Sequence, residues 1–152
     1  MANTQSMCTS FLEDLMKGTM NFTTGTGNSF KAALYLASAT YNASTTQYAS
    51  TNEVSGTGYT AGGVAVTNGT SPTSSNASAT AGVAYWTPSA SLTYTTVTLT
   101  TAFDAVLIYN STNSNRAVSV HTFGSQTITA GTFTLTMPTN STTTGLLRLS
   151  TT

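Results

Sequence analysis

The sequence predicts a mainly β fold, an antiparallel, jelly-roll-like β-sandwich with one short N-terminal α-helix. Three observations predict it. Fifty-five of the 152 residues are Thr or Ser, and the β-branched, half-polar Thr side chain suits a pleated, half-buried surface. Apolar residues recur with period two in short runs separated by Gly, Asn and Ser, the spacing of a sandwich or small barrel. Helical periodicity occurs once, close to the N-terminus.

That periodicity predicts a helix over residues 5–17. Met7, Phe11, Leu12, Leu15 and Met16 form an apolar stripe. Asn3, Thr4 and Ser6 are the candidate caps, and Gly18 is the stop. Glu13 and Asp14 are expected on the opposite face. The stripe either packs on the sheet or reaches a neighbouring subunit. Residues 1–20 thus read as an amphipathic helical segment, and residues 21–152 as a single sandwich domain.

After the glycine-rich turn Thr24–Asn28 the period becomes two. Phe30, Ala32, Leu34 and Leu36 face one side, and Lys31, Ala33 and Tyr35 the other. Further strands are predicted at Gly63–Thr67, Val83–Thr87, Leu92–Thr100, Ala105–Asn110, Ala117–Phe123, Thr132–Met137 and Leu146–Leu149. Ala105–Tyr109 is almost wholly apolar, as a central strand covered on both faces would be. Asn110–Asn115 is a polar turn, so the strands around it form a hairpin. Loops are predicted at 53–63, which holds Gly56, Gly58, Gly62 and Gly63 around Tyr59, and at 68–81, a run of small residues with Pro72.

Length fits one domain. Only 5% of residues are charged, four Lys+Arg and four Asp+Glu, for a formal net charge of zero; a typical domain carries about a quarter. Two readings stay open. One is an ordinary, sparsely charged β domain. The other is a surface largely covered by neighbours, since near-zero charge offers little colloidal repulsion. Glu13 and Asp14 interrupt the N-terminal apolar stretch and no basic region precedes it, unlike a signal peptide. No apolar run approaches the ~20 residues of a membrane span. Cys8 is the single cysteine, so no intrachain disulfide forms. Six N-x-S/T sequons occur against about four expected by chance from this composition, and they read as compositional.

The chemistry-bearing residues are few. Gly56-Thr57-Gly58 lacks the strand before and the helix after it that a nucleotide loop requires, and its glycines are better assigned to tight turns. His121 is the only histidine. A triad would need it oriented by an acid, with Asp104 the candidate, beside a reachable hydroxyl. Glu13, Asp14, Glu53 and Asp104 are the only carboxylates for paired acid–base work. One His and one Cys do not make a zinc cage. Lys17, Lys31, Arg116 and Arg148 are scattered rather than gathered into a basic patch for nucleic acid. No catalytic, cofactor or metal residues are therefore assigned, and no enzymatic role, nucleic acid or membrane is expected. Trp86 is a core or interface anchor.

Several stretches carry a resemblance. They are Ser6-Met7-Cys8 with Phe11, then Phe30-Lys31-Ala32-Ala33-Leu34-Tyr35, then the block from Asn52 to Gly63, which is the most specific. Trp86, Ile108-Tyr109-Asn110-Ser111, Asn115-Arg116-Ala117-Val118, Phe123-Gly124 and Phe133-Thr134 follow in order. Together they resemble a family of small tailed-bacteriophage virion structural proteins, over nearly the whole chain except Asn68–Ala81. The resemblance implies a β-sandwich without enzymatic role, located in the virion after assembly in the host bacterial cytoplasm. Its expected partners are further copies of itself, as a homo-oligomer, and the major capsid protein or other virion proteins. A capsid decoration (cement) protein is the first expectation, and a tail, fibre or head-to-tail adaptor component the second. A carbohydrate-binding module is a distant third; it would need Tyr59, Tyr85 and Trp86 on an exposed platform. Met7, Phe11, Leu15, Tyr59 and Trp86 are the candidate interface residues.

Overall fold

The computed structural model describes residues 2–76 and 81–151. Its elements are β1 (Ser6–Met7), α1 (Thr9–Met16), β2 (Phe30–Leu36), β3 (Val64–Val66), β4 (Thr73–Ser75), β5 (Val83–Trp86), β6 (Leu92–Asn110), β7 (Arg116–Leu135) and β8 (Leu147–Ser150). They form two antiparallel sheets, one in the order β1-β7-β6-β2-β3 and a smaller one in the order β4-β5-β8. The fold is mainly β and sandwich-like with one short helix, as the Thr-rich, period-two sequence predicts.

The apolar run Ala105–Tyr109 lies in β6, inside the large sheet, and every residue in it is at most 2% exposed. A run with no polar alternation needs cover on both faces, and it has it. The hairpin that follows is also as expected. Asn110 pairs with Arg116, and its Oδ1 accepts the N–H groups of Thr112 and Asn113, each at 3.1 Å. Ser114 and Asn115 then adopt left-handed φ of 49° and 56°, an arrangement that Asx chemistry favours.

Four sequence expectations are corrected. The helix starts later than residue 5 because Ser6 and Met7 pair with Val120 and Ser119 as β1, and Cys8 donates its N–H to Val118 O. Cys8 is the N-cap, with no side-chain capping bond. Asn3 instead ties the N-terminus to the core, donating to Leu36 O at 3.0 Å and Asp104 Oδ1 at 2.7 Å. Gly18 ends the helix as expected, at φ 69° with its N–H on Leu15 O. Second, Asp14 does not face solvent: it is 5% exposed and forms a bidentate ion pair with Arg116 at 2.7 and 3.3 Å.

Third, the segments predicted as Leu92–Thr100 and Ala105–Asn110 are one strand, and so are the bodies of Ala117–Phe123 and Thr132–Met137. Register shifts recur along this pair, with left-handed Thr96 (φ 53°) and Ala130 (φ 47°). Bulges of this kind bend a strand without ending it, and they scramble the alternation by which a sequence announces a strand. Fourth, the predicted loop 68–81 contains a strand, β4; residues 77–80 of it lie outside the described residues.

Aromatic rings join the sheets. Phe22 stacks on Phe30 of β2 at 4.3 Å, and Trp86 of β5 tilts against Phe22 at 4.7 Å. The Trp86 indole N–H is satisfied by Asn68 Oδ1 and Thr70 O, both at 3.0 Å. Along the sequence, Asp104 and Arg116 are the only charged residues between Glu53 and Arg148.

Candidate functional site

Two places stand out. The first is a carboxylate, Glu53, only 9% exposed and ringed by tyrosines. Its Oε2 accepts the Tyr48 hydroxyl, and its Oε1 accepts both the Tyr59 hydroxyl and the Gly62 N–H, each at 2.7 Å. A buried anion must be satisfied in this way or be neutralised. The ring is held in turn. The Tyr59 oxygen accepts the Leu34 N–H at 3.0 Å, and Tyr109 and Tyr94 donate to Gly62 O and Ala32 O at 2.8 Å each.

Burial, then the bond to Glu53, pushes the Tyr48 and Tyr59 hydroxyls up. Burial, then the Glu53 charge, does the same at Tyr94 and Tyr109. Burial also raises Tyr35 and Tyr41, which feel the same charge. Six of the seven tyrosines therefore sense one carboxylate.

Local sequence explains how the loop reaches this point. Glycine is needed where the backbone presses on the sheet: a Cβ at Gly63 would lie 1.7 Å from Ala32 O, and Gly63 sits at φ 73°. At Gly56 a Cβ would meet Thr98 O at 2.0 Å. The glycines of 53–63 thus serve turns and close approach, as the sequence reading has it. The reading missed Glu53 as their anchor. The available signal was a lone Glu within a hydroxyl- and glycine-rich block, flanked by Tyr48 and Tyr59.

The second place is an apolar groove of about 80 Å³ between α1 and the small sheet. Phe11, Leu15, Phe22, Trp86, Leu147 and Leu149 line it. Among the described residues the exposed large apolar side chains are Leu12 at 38%, Met16 at 84% and Leu149 at 41%. All three belong to α1 and β8, the two elements that flank the groove.

The sequence-derived interface candidates divide accordingly. Phe11 and Trp86 are 1% and 2% exposed and form the floor of the groove rather than its rim. Leu15 is half-buried on the groove wall, and Met7 is half-buried in β1. Tyr59 is half-buried and belongs to the Glu53 ring, away from the other four. With Trp86 buried, Tyr59, Tyr85 and Trp86 make no exposed platform for a sugar. Leu12, Met16 and Leu149 are the exposed side chains; the first two were in the predicted stripe, and Leu149 gave no separate signal.

His121 Nε2 lies 2.9 Å from Ser119 Oγ, but Ser119 is fully buried and Asp104 is bonded to Asn3. The nucleophile, base and orienting acid of a triad are therefore not brought together. Cys8 is fully buried, and burial pushes its thiol up to about 12, so the reactive thiolate is suppressed. Among the described residues no three of His, Cys, Asp and Glu gather where a metal would need them. No helix among them is long and apolar enough to cross a membrane. No family model, curated protein or solved structure matches the chain.

Proposed function

We propose that the chain is a bacteriophage virion structural protein, a capsid decoration (cement) protein that binds and stabilises the assembled head. The observation that carries the reading is the character of the surface. It is rich in neutral hydroxyls, and among the described residues the exposed large apolar side chains lie in α1 and β8. Neutral hydrogen-bonding groups meet another protein without the desolvation cost of buried charge. The order of motifs that resembles the virion family supports the same setting. A subunit that binds the assembled shell and not free capsid subunits stabilises that shell by mass action. Its copies follow the symmetry of the shell as a homo-oligomer, and the groove beside α1 is the contact surface for a neighbouring virion protein.

Quantitative mass spectrometry of purified virions tests the assignment. A cement protein is present at on the order of hundreds of copies per particle, following the copy number of a symmetric shell. A handful of copies sinks the head reading and leaves the tail, fibre or adaptor component.

A further inference from the structure

We propose that the last stretch of β7, Gly131–Leu135, is a self-association surface. It pairs antiparallel with the same stretch of a second copy, across a two-fold axis at Phe133. The β6–β7 ribbons of the two copies then join into one continuous sheet. This surface is separate from the groove beside α1, and the inference stands whether or not the chain belongs to a virion.

The outer edge of β7 is covered only at its start. Thr46 O, the Cys8 N–H and β1 occupy that edge as far as Val120. From His121 to Leu135, no described segment outside β6 and β7 bonds to the backbone of β7. An edge with unpaired N–H and C=O groups is a template for another strand, and proteins guard such edges with charge, Pro or bulges. Here bulges guard residues 122–131, where the register against β6 shifts and Ala130 is left-handed. Gly131–Leu135 has no such guard. Phe133, Thr134 and Leu135 pair with Tyr94, Thr93 and Leu92 without a shift, and the extra residue of the next shift lies on β6, beside left-handed Thr96. Neither a charged residue nor a proline occurs from Ala117 to Met137.

The same residues specify a second copy as the occupant. Gly131, Phe133 and Leu135 are half-buried, and the alternate residues Thr132 and Thr134 are exposed. Thr-Phe-Thr reads the same in both directions about Phe133. An antiparallel two-fold therefore sets Thr132 opposite the partner's Thr134, and Thr134 opposite the partner's Thr132, a stabilising cross-strand pair. On the core side the Phe133 ring lies 5.1 Å from Phe103 and 5.2 Å from Phe123. This ring cluster stops at the edge of the sheet, and a second copy continues it with an identical one. An isologous contact requires such self-complementarity, and a neutral edge meets its own copy without like-charge repulsion.

Sedimentation equilibrium of the full chain over a wide range of concentration tests the proposal. The wild type is expected to show a monomer–dimer equilibrium. Thr132→Lys combined with Thr134→Lys sets like charges opposite each other at both pairs, and should raise the dissociation constant on the order of a hundredfold. Thr132→Glu with Thr134→Glu should do the same, and an equimolar mixture of the two variants should recover dimers, because Lys then faces Glu. Ser38→Lys with Thr40→Lys, at exposed positions just after β2, adds the same charge elsewhere and should leave the dissociation constant unchanged. Should a charged variant not fold, hydrogen–deuterium exchange of the wild type serves: outward-facing amides of Gly131–Leu135 gain protection as concentration rises. A wild-type chain that stays monomeric overturns the proposal and leaves the edge to an extended segment of a different protein. So does a dimer that survives the lysine pair, a mixture of folded variants that stays monomeric, an equal loss in the Ser38 and Thr40 control, or protection that is indifferent to concentration.

Discussion

Burial pushes the His121 imidazole down to about 4, against about 6.5 in an unfolded chain. Between those values the unfolded chain takes up a proton that the folded chain refuses. The stability contributed by neutral His121 is therefore complete above about pH 6.5 and is lost progressively as pH falls toward 4. The side chain is half-buried, so solvent screens the effect, and the loss is about 1–2 kcal/mol. Urea denaturation at neutral pH and in mild acid measures it, and His121→Gln should remove that share of the difference. Such single-residue chemistry was only partly legible in the sequence. A lone His between Val120 and Thr122 reads correctly as a strand residue, but whether its neighbours desolvate it depends on which segments pack over it. Glu53 is the sharper case. Its Gly-rich surroundings are visible in the sequence, whereas the convergence of Tyr48, Tyr59, Tyr94 and Tyr109 requires the register of β6 against β2.

At the scale of elements, α1 is tied to the start of β7 by Asp14 and Arg116. Removing the guanidinium leaves Asp14, with only 7% of its side chain exposed, as an unpaired buried charge. The arginine side chain is 28% exposed, so the cost of Arg116→Ala is about 2 kcal/mol, below that of a fully buried pair. In a double-mutant cycle with Asp14→Ala, the combined loss should fall short of the sum of the two single losses. Equal and additive losses would mean the pair contributes nothing. The helix was legible from Phe11 and Leu15, and its end from Gly18. Its true start was hidden because Ser6 and Met7 satisfy a helical pattern and a strand pairing equally well, and only the presence of β7 beside them decides. The long β6 and β7 were read in pieces for a related reason: each register shift breaks the period of two that identifies a strand.

For the molecule as a whole, Trp86 is the residue through which the small sheet meets the large one. Truncation to Ala removes the ring packed on Phe22 and leaves Asn68 Oδ1 and Thr70 O without their donor. The expected loss is roughly 3–5 kcal/mol in chemical denaturation, a large fraction of the stability of a domain this size. A loss below about 1 kcal/mol would show that the sheets are joined mainly elsewhere. The fold class was legible because it depends on composition and period, which the sequence displays directly. The five-and-three division of the strands was not, because it depends on long-range pairing such as that of β5 with β8. One further consequence follows from Asp104 and Arg116 being the only charges between Glu53 and Arg148. Dissolved salt acts on association by screening charge, and the far arm of the β6–β7 hairpin offers it nothing to screen. Whatever that arm holds should be held equally well in fresh water and in brine.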